Sequence, residues 1–218
     1  MILAASAEVR FTGQGDGDLG RTAPGPVRAA VIQNRARLLA ELGVRCVAAA
    51  HQVHGTHVAQ VTEAPMGYSA IDEEADGLAT ALPGVAVAVH VADCLPIAIA
   101  GEGGVAILHG GWRGLAGGIA AAGVEALREL GVDGELEAAI GPGAGPCCYE
   151  VGEEVHAAFG VSGSGPLDLP AIASAQLEAA GVGRINRSDV CTICSEEFFS
   201  HRRDGESTGR QTALAWLI

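Results

Sequence analysis

The sequence predicts an α+β fold built on mixed β-sheets, and three observations carry that reading. Val- and Ile-rich runs at 85–92, 96–100 and 105–109 are short and bounded by Gly or Pro, which marks strands rather than buried helices. Segments 24–42 and 115–130 place apolar residues at helical spacing and end at Gly43 and Gly131, where C-terminal caps belong. Some neighbouring strands are too close together for a helical crossover between them, so at least one sheet must be mixed or antiparallel. No fixed-period repeat and no linker divides the chain, so residues 1–218 read as one domain.

Composition narrows the partners. Apolar residues make up 49% of the 218, enough to build a core and too many for a disordered chain. The formal net charge is −13 with no Lys/Arg run, so nucleic acid and anionic membrane are poor partners. No apolar run approaches the roughly 20 residues of a membrane helix, and residues 1–10 do not read as a signal peptide. Six Cys without a secretory signal read as thiols or ligands rather than as a disulfide framework, and a cytoplasmic location is expected.

Taken in order, residues 8–12 form a first strand that enters the Gly/Asp loop 13–20. That loop lacks the closing Glu and following helix of a calcium loop, so it reads as a flexible cover. The helix 24–42 carries Asn34 and Arg35 on what reads as a solvated polar face. Strand 44–50 ends in HQVHGTH, where β-branched residues and Gly55 favour strand–turn–strand. Alternation in a strand would turn His54 away from His51 and His57, so one metal does not take all three. Three His in seven residues still point to at least one ligand. Segment 63–80, with its acids Asp72, Glu73, Glu74 and Asp76, reads as a solvated polar loop.

The central strands end in chemistry. The first delivers Asp93 and Cys94, and the third delivers His109, so a thiol and an imidazole stand at the ends of neighbouring strands. Gly110-Gly111-Trp112-Arg113-Gly114 then opens the helix 115–130 with free N–H groups and a guanidinium, a ready anion site. Strand 136–140, a Gly-rich loop, the adjacent pair Cys147-Cys148, and helices over 150–159 and 171–180 follow. The Cys pair reads as a buried structural feature, and Cys191–Cys194 as a CxxC without a second ligand pair, hence not a metal site. Cys46, inside a strand, packs as a small apolar residue. A last strand covers 212–217.

HQVHGTHV, DGLAT, HVADCLPIAI, ILHGGWRGLAGGI, AIGPGAGPCCYEVGEEV and FFSHRRDGESTGRQ occur in the order and spacing of the YfiH-like family, which the chain resembles over nearly its whole length. That family was long labelled multicopper polyphenol oxidase or laccase-domain protein and is now described as purine nucleoside phosphorylases. Its longer Gly/Ser loop is reduced here to residues 12–20. The resemblance implies a four-layer α/β/β/α arrangement of mixed sheets. It also implies a zinc held by His54, Cys94 and His109, the three-ligand pattern that leaves a tetrahedral position open. Asp93 would orient a metal ligand or act as general base, with Cys94 and His109 the other catalytic residues.

The implied activity is phosphorolysis of adenosine, inosine, guanosine and methylthioadenosine, with adenosine deamination beside it, and no protein partner is implied. Phosphate in so acidic a protein needs a locally basic pocket. Arg113, Arg202 and Arg203 are the candidates for it, with Asn34 as a further substrate contact. Two rivals remain. A copper oxidase of the laccase kind needs many His in HxH pairs, and HxH occurs nowhere in the chain. A cysteine hydrolase with Cys94 as nucleophile and His109 as base uses the same pair differently.

Overall fold

Fourteen strands and six helices arise from these runs in a computed structural model that describes residues 1–4, 6–20 and 25–218. The strands are β1 (Ile2–Leu3), β2 (Ala7–Phe11), β3 (Cys46–His51), β4 (Val58–Gln60), β5 (Tyr68–Glu74), β6 (Gly77–Thr80) and β7 (Val85–Val91). They continue with β8 (Leu95–Gly101), β9 (Gly104–Gly110), β10 (Glu137–Ile140), β11 (Glu150–Val151), β12 (Gly165–Pro166), β13 (Arg184–Arg187) and β14 (Gln211–Leu217). The helices are α1 (Pro26–Leu42), α2 (Trp112–Gly117), α3 (Ile119–Glu129), α4 (Glu153–Ala158), α5 (Leu169–Ala179) and α6 (His201–Asp204). Residue 24, the expected start of the first helix, lies outside the described residues.

One six-stranded sheet runs β1-β2-β14-β7-β3-β5 and the other β13-β10-β8-β9-β6-β4. Both are mixed: β3 runs parallel to β5 and β7, β4 to β6 and β10 to β13, while the other neighbours are antiparallel. Between the sheets, Val87, Val89 and Val91 of β7 cluster with Ala98 of β8 and Ile107 of β9. On its other face, β8 packs Ile97 and Ile99 against Leu115, Ile119 and Leu127 of α2 and α3 and Leu177 of α5. Ala86, Ala88 and Leu214 meet Leu38 of α1 on the other face of the first sheet. Every residue of β8, β9 and β14 is buried, and β8 and the apolar stretches of β9 and β14 accordingly show no polar alternation. No helix among the described residues is long and apolar enough to cross a membrane.

Three expectations need correction. Segment 63–80 is not a loop: it forms β5 and β6, and β5 carries no apolar run because it is an edge strand whose acidic residues stay exposed. Residues 115–130 are two helices, because Gly118 takes the left-handed φ of 95° and its N–H closes α2 on Gly114 and Leu115. A Cβ on Gly117 would sit 2.6 Å from Thr56 Cγ2, so the glycines also bring α2 against the turn that carries His54. Third, residues 150–159 split into β11 and the short α4, which starts after Gly152.

Candidate metal centre and cavity

Antiparallel pairing of β8 and β9 sets Pro96 opposite His109 and Leu95 opposite Gly110. Cys94, one residue before β8, therefore lies beside the end of β9. The turn that presents it is strained, since Asp93 adopts φ 84°, a region that side-chain-bearing residues seldom use. Hydrogen bonds hold it there: Asp93 Oδ1 accepts from Thr192 Oγ1 at 2.7 Å, and Oδ2 accepts from Ser200 Oγ at 3.1 Å and Arg202 N at 2.7 Å. With its oxygens accepting from these donors, Asp93 anchors the Cys94 turn.

The carboxylate beside the histidine is Asp76, and its expected place in a solvated loop is corrected. It is fully buried, and its Oδ1 accepts from His109 Nδ1 at 2.7 Å. It also accepts the backbone N–H groups of Val53, His54 and Gly55 at 3.0, 2.9 and 2.6 Å. Burial pushes the Asp76 carboxyl upward, but the His109 bond and the N–H groups of Gly55 and Val53 outweigh it and hold the carboxyl below its ordinary value. One buried acid thus orients His109 and folds the turn that carries His54. That turn, not strand alternation, aims His54, whose φ is 62°. His57 is turned outward and paired with Glu73 at 2.6 Å.

The ligand atoms of His54, Cys94 and His109 lie within 4.8 Å of one another, and the two imidazoles meet edge-on with centroids 4.7 Å apart. Burial raises the Cys94 thiol, yet the His109 charge and hydrogen bonds from both histidines bring it down to about 6. Desolvation lowers His109, but Cys94 and Asp76 raise it to about 9. A thiolate with two imidazoles, one backed by a carboxylate, is a donor set suited to zinc. Gly111 keeps room for it: a Cβ there would sit 3.3 Å from both Cys94 Sγ and His54 Cδ2.

These donors line a cavity of about 490 Å³ at the ends of β3 and β7, together with Arg35, His90 and Arg210. Arg35 donates to Leu19 O at 2.7 Å and lies 3.4 Å from His90 Nε2, while His90 Nδ1 is 2.7 Å from Thr212 Oγ1. Burial first, then the charges of Arg35 and Arg210, drives His90 down to about 3, so the cavity wall holds two cations around a neutral imidazole.

The expected phosphate ligands sit elsewhere: Arg113, Arg202 and Arg203 are not among the lining residues. The Arg113 guanidinium lies over Trp112, and that of Arg202 donates to Glu150 O. Arg203 spends its fork on Asp204 and on the carbonyls of Thr192, Ser195 and Phe198. Asn34 uses its amide to hold Asp18 O at 2.9 Å. Arg35, read as a surface residue, is the one turned inward. Its only sequence signal was its place next to Asn34.

Cys147, Cys148, Cys191 and Cys194 also meet, away from this cavity, with all four sulfurs within 4.8 Å of one another. This corrects the reading of the CxxC as lacking a second pair, and Cys147 is exposed rather than buried.

A family model described as multi-copper polyphenol oxidoreductase laccase matches residues 18–218. The chain is 40% identical over 202 residues to the purine nucleoside phosphorylase of Deinococcus radiodurans, spanning 86% of this chain and 77% of that protein. The crystal structure of YlmD from Geobacillus stearothermophilus superposes with a TM-score of 0.86 at 32% identity, over 98% of this chain and 93% of that one. The Bacillus licheniformis hypothetical protein YfiH also gives 0.86, at 27% identity over 97% and 93%.

Proposed function

From the premise that this chain belongs to the multi-copper polyphenol oxidoreductase laccase family, also called YfiH-like, we propose that it is a zinc-dependent purine nucleoside phosphorylase. Its substrates are adenosine, inosine, guanosine and methylthioadenosine, and adenosine deamination accompanies phosphorolysis. The observation that carries this reading is the union of a three-donor cluster and two arginines in one cavity of about 490 Å³, within the range of small-molecule sites.

In phosphorolysis a phosphate oxygen forms a bond to C1′ of the pentose while the bond to the purine nitrogen breaks. The bonding pair leaves with the purine, which takes up a proton, and a pentose 1-phosphate remains. Arg35 and Arg210 bind and orient the phosphate, replacing Arg113, Arg202 and Arg203 in that role, because a guanidinium fork matches phosphate oxygens. His90 stays neutral between them, so the two guanidiniums carry the positive charge of this wall. His54, Cys94 and His109 hold the zinc, with Asp76 fixing the His109 tautomer. Zinc held there supplies Lewis acidity and, for deamination, an activated water.

Copper chemistry of the kind in the family label fits these residues poorly. Seven His without an HxH pair do not build a multicopper cluster. The axial Met of a single His₂Cys copper site has no source either, because Met66 is 91% exposed and Met1 62%. A cysteine hydrolase is the second reading, favoured by one observation: Asp76, His109 and Cys94 are linked in the order of a catalytic triad. His54 favours the metal reading over it, since a triad has no use for a second imidazole at the sulfur.

Incubation of the purified protein with adenosine, with and without phosphate, tests the proposal. Phosphate should yield free base and ribose 1-phosphate, and its omission should leave only deamination to inosine. Free ribose, or no cleavage in either case, would overturn it.

A further inference from the structure

The Gly-rich loop after β10 and the segment after β13 cross at a parallel bridge between Gly143 and Cys191. That crossing carries the four sulfurs. Cys148 Sγ lies 2.7 Å and Cys147 Sγ 3.5 Å from Cys194 Sγ. Gly145 donates its N–H to Cys191 Sγ at 3.3 Å, and a Cβ at Gly145 would sit 3.2 Å from Cys191 Cβ, so a glycine permits the approach. Thiols are weak hydrogen-bonding groups, and packing four of them together gains little unless a cation joins them. Tetrahedral zinc with Zn–S bonds of about 2.3 Å places sulfurs roughly 3.8 Å apart, inside the 4.8 Å that bounds these four, and Cys148 and Cys194 would part by about 1 Å to take it.

We propose that Cys147, Cys148, Cys191 and Cys194 form a second metal site, a closed four-thiolate site for zinc that clamps the two loops. Each thiol that carries a proton releases it to solvent as its S–Zn bond forms, and no electron is transferred. The clamp reaches the cavity through the neighbour of Cys94: Thr192, inside the CxxC, donates to the Asp93 carboxylate, and Ala144 of the other loop donates its N–H to Asp93 O at 2.7 Å. Arg203 fixes the same turn from outside through the carbonyls of Thr192, Ile193 and Ser195. The four sulfurs leave no ligand position open, so the site is structural rather than catalytic.

Peptide-mapped alkylation with iodoacetamide, on protein purified with reductant and zinc, reads these sulfurs without any substitution. Cys147 and Cys194 are exposed, yet they should resist labelling until a chelator removes the metal, after which all four should label. Elemental analysis should show zinc falling by about one per chain in Cys191→Ser, and by about one more when Cys94→Ala is added. Free labelling of Cys147 and Cys194 in the zinc-loaded protein would overturn the proposal. So would a Cys148–Cys194 disulfide in peptides mapped without reduction. The labelling does not depend on metal at His54, Cys94 and His109, so failure of that centre and failure of this one are distinguishable.

Discussion

At the scale of single residues, the arrangement turns on Asp76. Asp76→Asn keeps the size of the side chain but removes the charge that accepts from His109 and three backbone N–H groups. Loss of such a partner typically costs 10–100-fold in metal affinity, so competition with a chromogenic chelator should show zinc binding weakened by about that factor. An unchanged affinity would reduce Asp76 to a turn former. His90 gives a pH prediction. Its folded pKa of about 3 lies below the roughly 6.5 of an unfolded histidine, so the unfolded chain binds more protons between those values. This residue's contribution to stability therefore falls as pH drops from about 6.5 towards 3. NMR should find the His90 ring signals constant from pH 8 to pH 5, whereas a midpoint near 6.5 would contradict the buried, neutral assignment. Cys94 and His109 were legible in the sequence because strand ends can be read from short Val/Ile runs. Asp76 was not, because its burial comes from His109 and the turn 53–55, contacts that no local pattern announces.

At the scale of elements, the glycines between β9 and α3 set the geometry. Gly111 has an ordinary φ of −71°, so Gly111→Ala strains no backbone, yet the added methyl meets Cys94 Sγ and His54 Cδ2. The expected result is a folded protein with native circular dichroism and thermal midpoint, and zinc affinity reduced by at least about tenfold, as for a disturbed ligand shell. Zinc affinity equal to that of the unsubstituted protein would show that the three donors do not close around the space beside Gly111. Helix α1 was legible from its spacing and Gly43, but its purpose was not. Asn34, Arg35 and Arg37 reach Asp18 O, Leu19 O and Asp16 O, so the polar face read as solvated is a clamp on the loop 13–20. A polar helix face looks the same in sequence whether it meets water or backbone carbonyls.

At the scale of the whole molecule, two mixed sheets share one apolar layer, and the cavity opens where β3 and β7 end. Their mixed character followed from connection lengths alone. The placement of the arginines did not, because each depends on long-range neighbours: all 13 basic residues are Arg, and among the described residues only Arg35 and Arg210 line the cavity. The central claim is that His54, Cys94 and His109 hold a zinc on which turnover depends. Cys94→Ala, compared with the unsubstituted protein for zinc content by elemental analysis and for phosphate-dependent release of free purine, tests it most directly. The account predicts a folded variant that has lost about one zinc per chain and all phosphorolysis. A variant that retains its full zinc content while losing activity would contradict the account and make Cys94 a nucleophile instead.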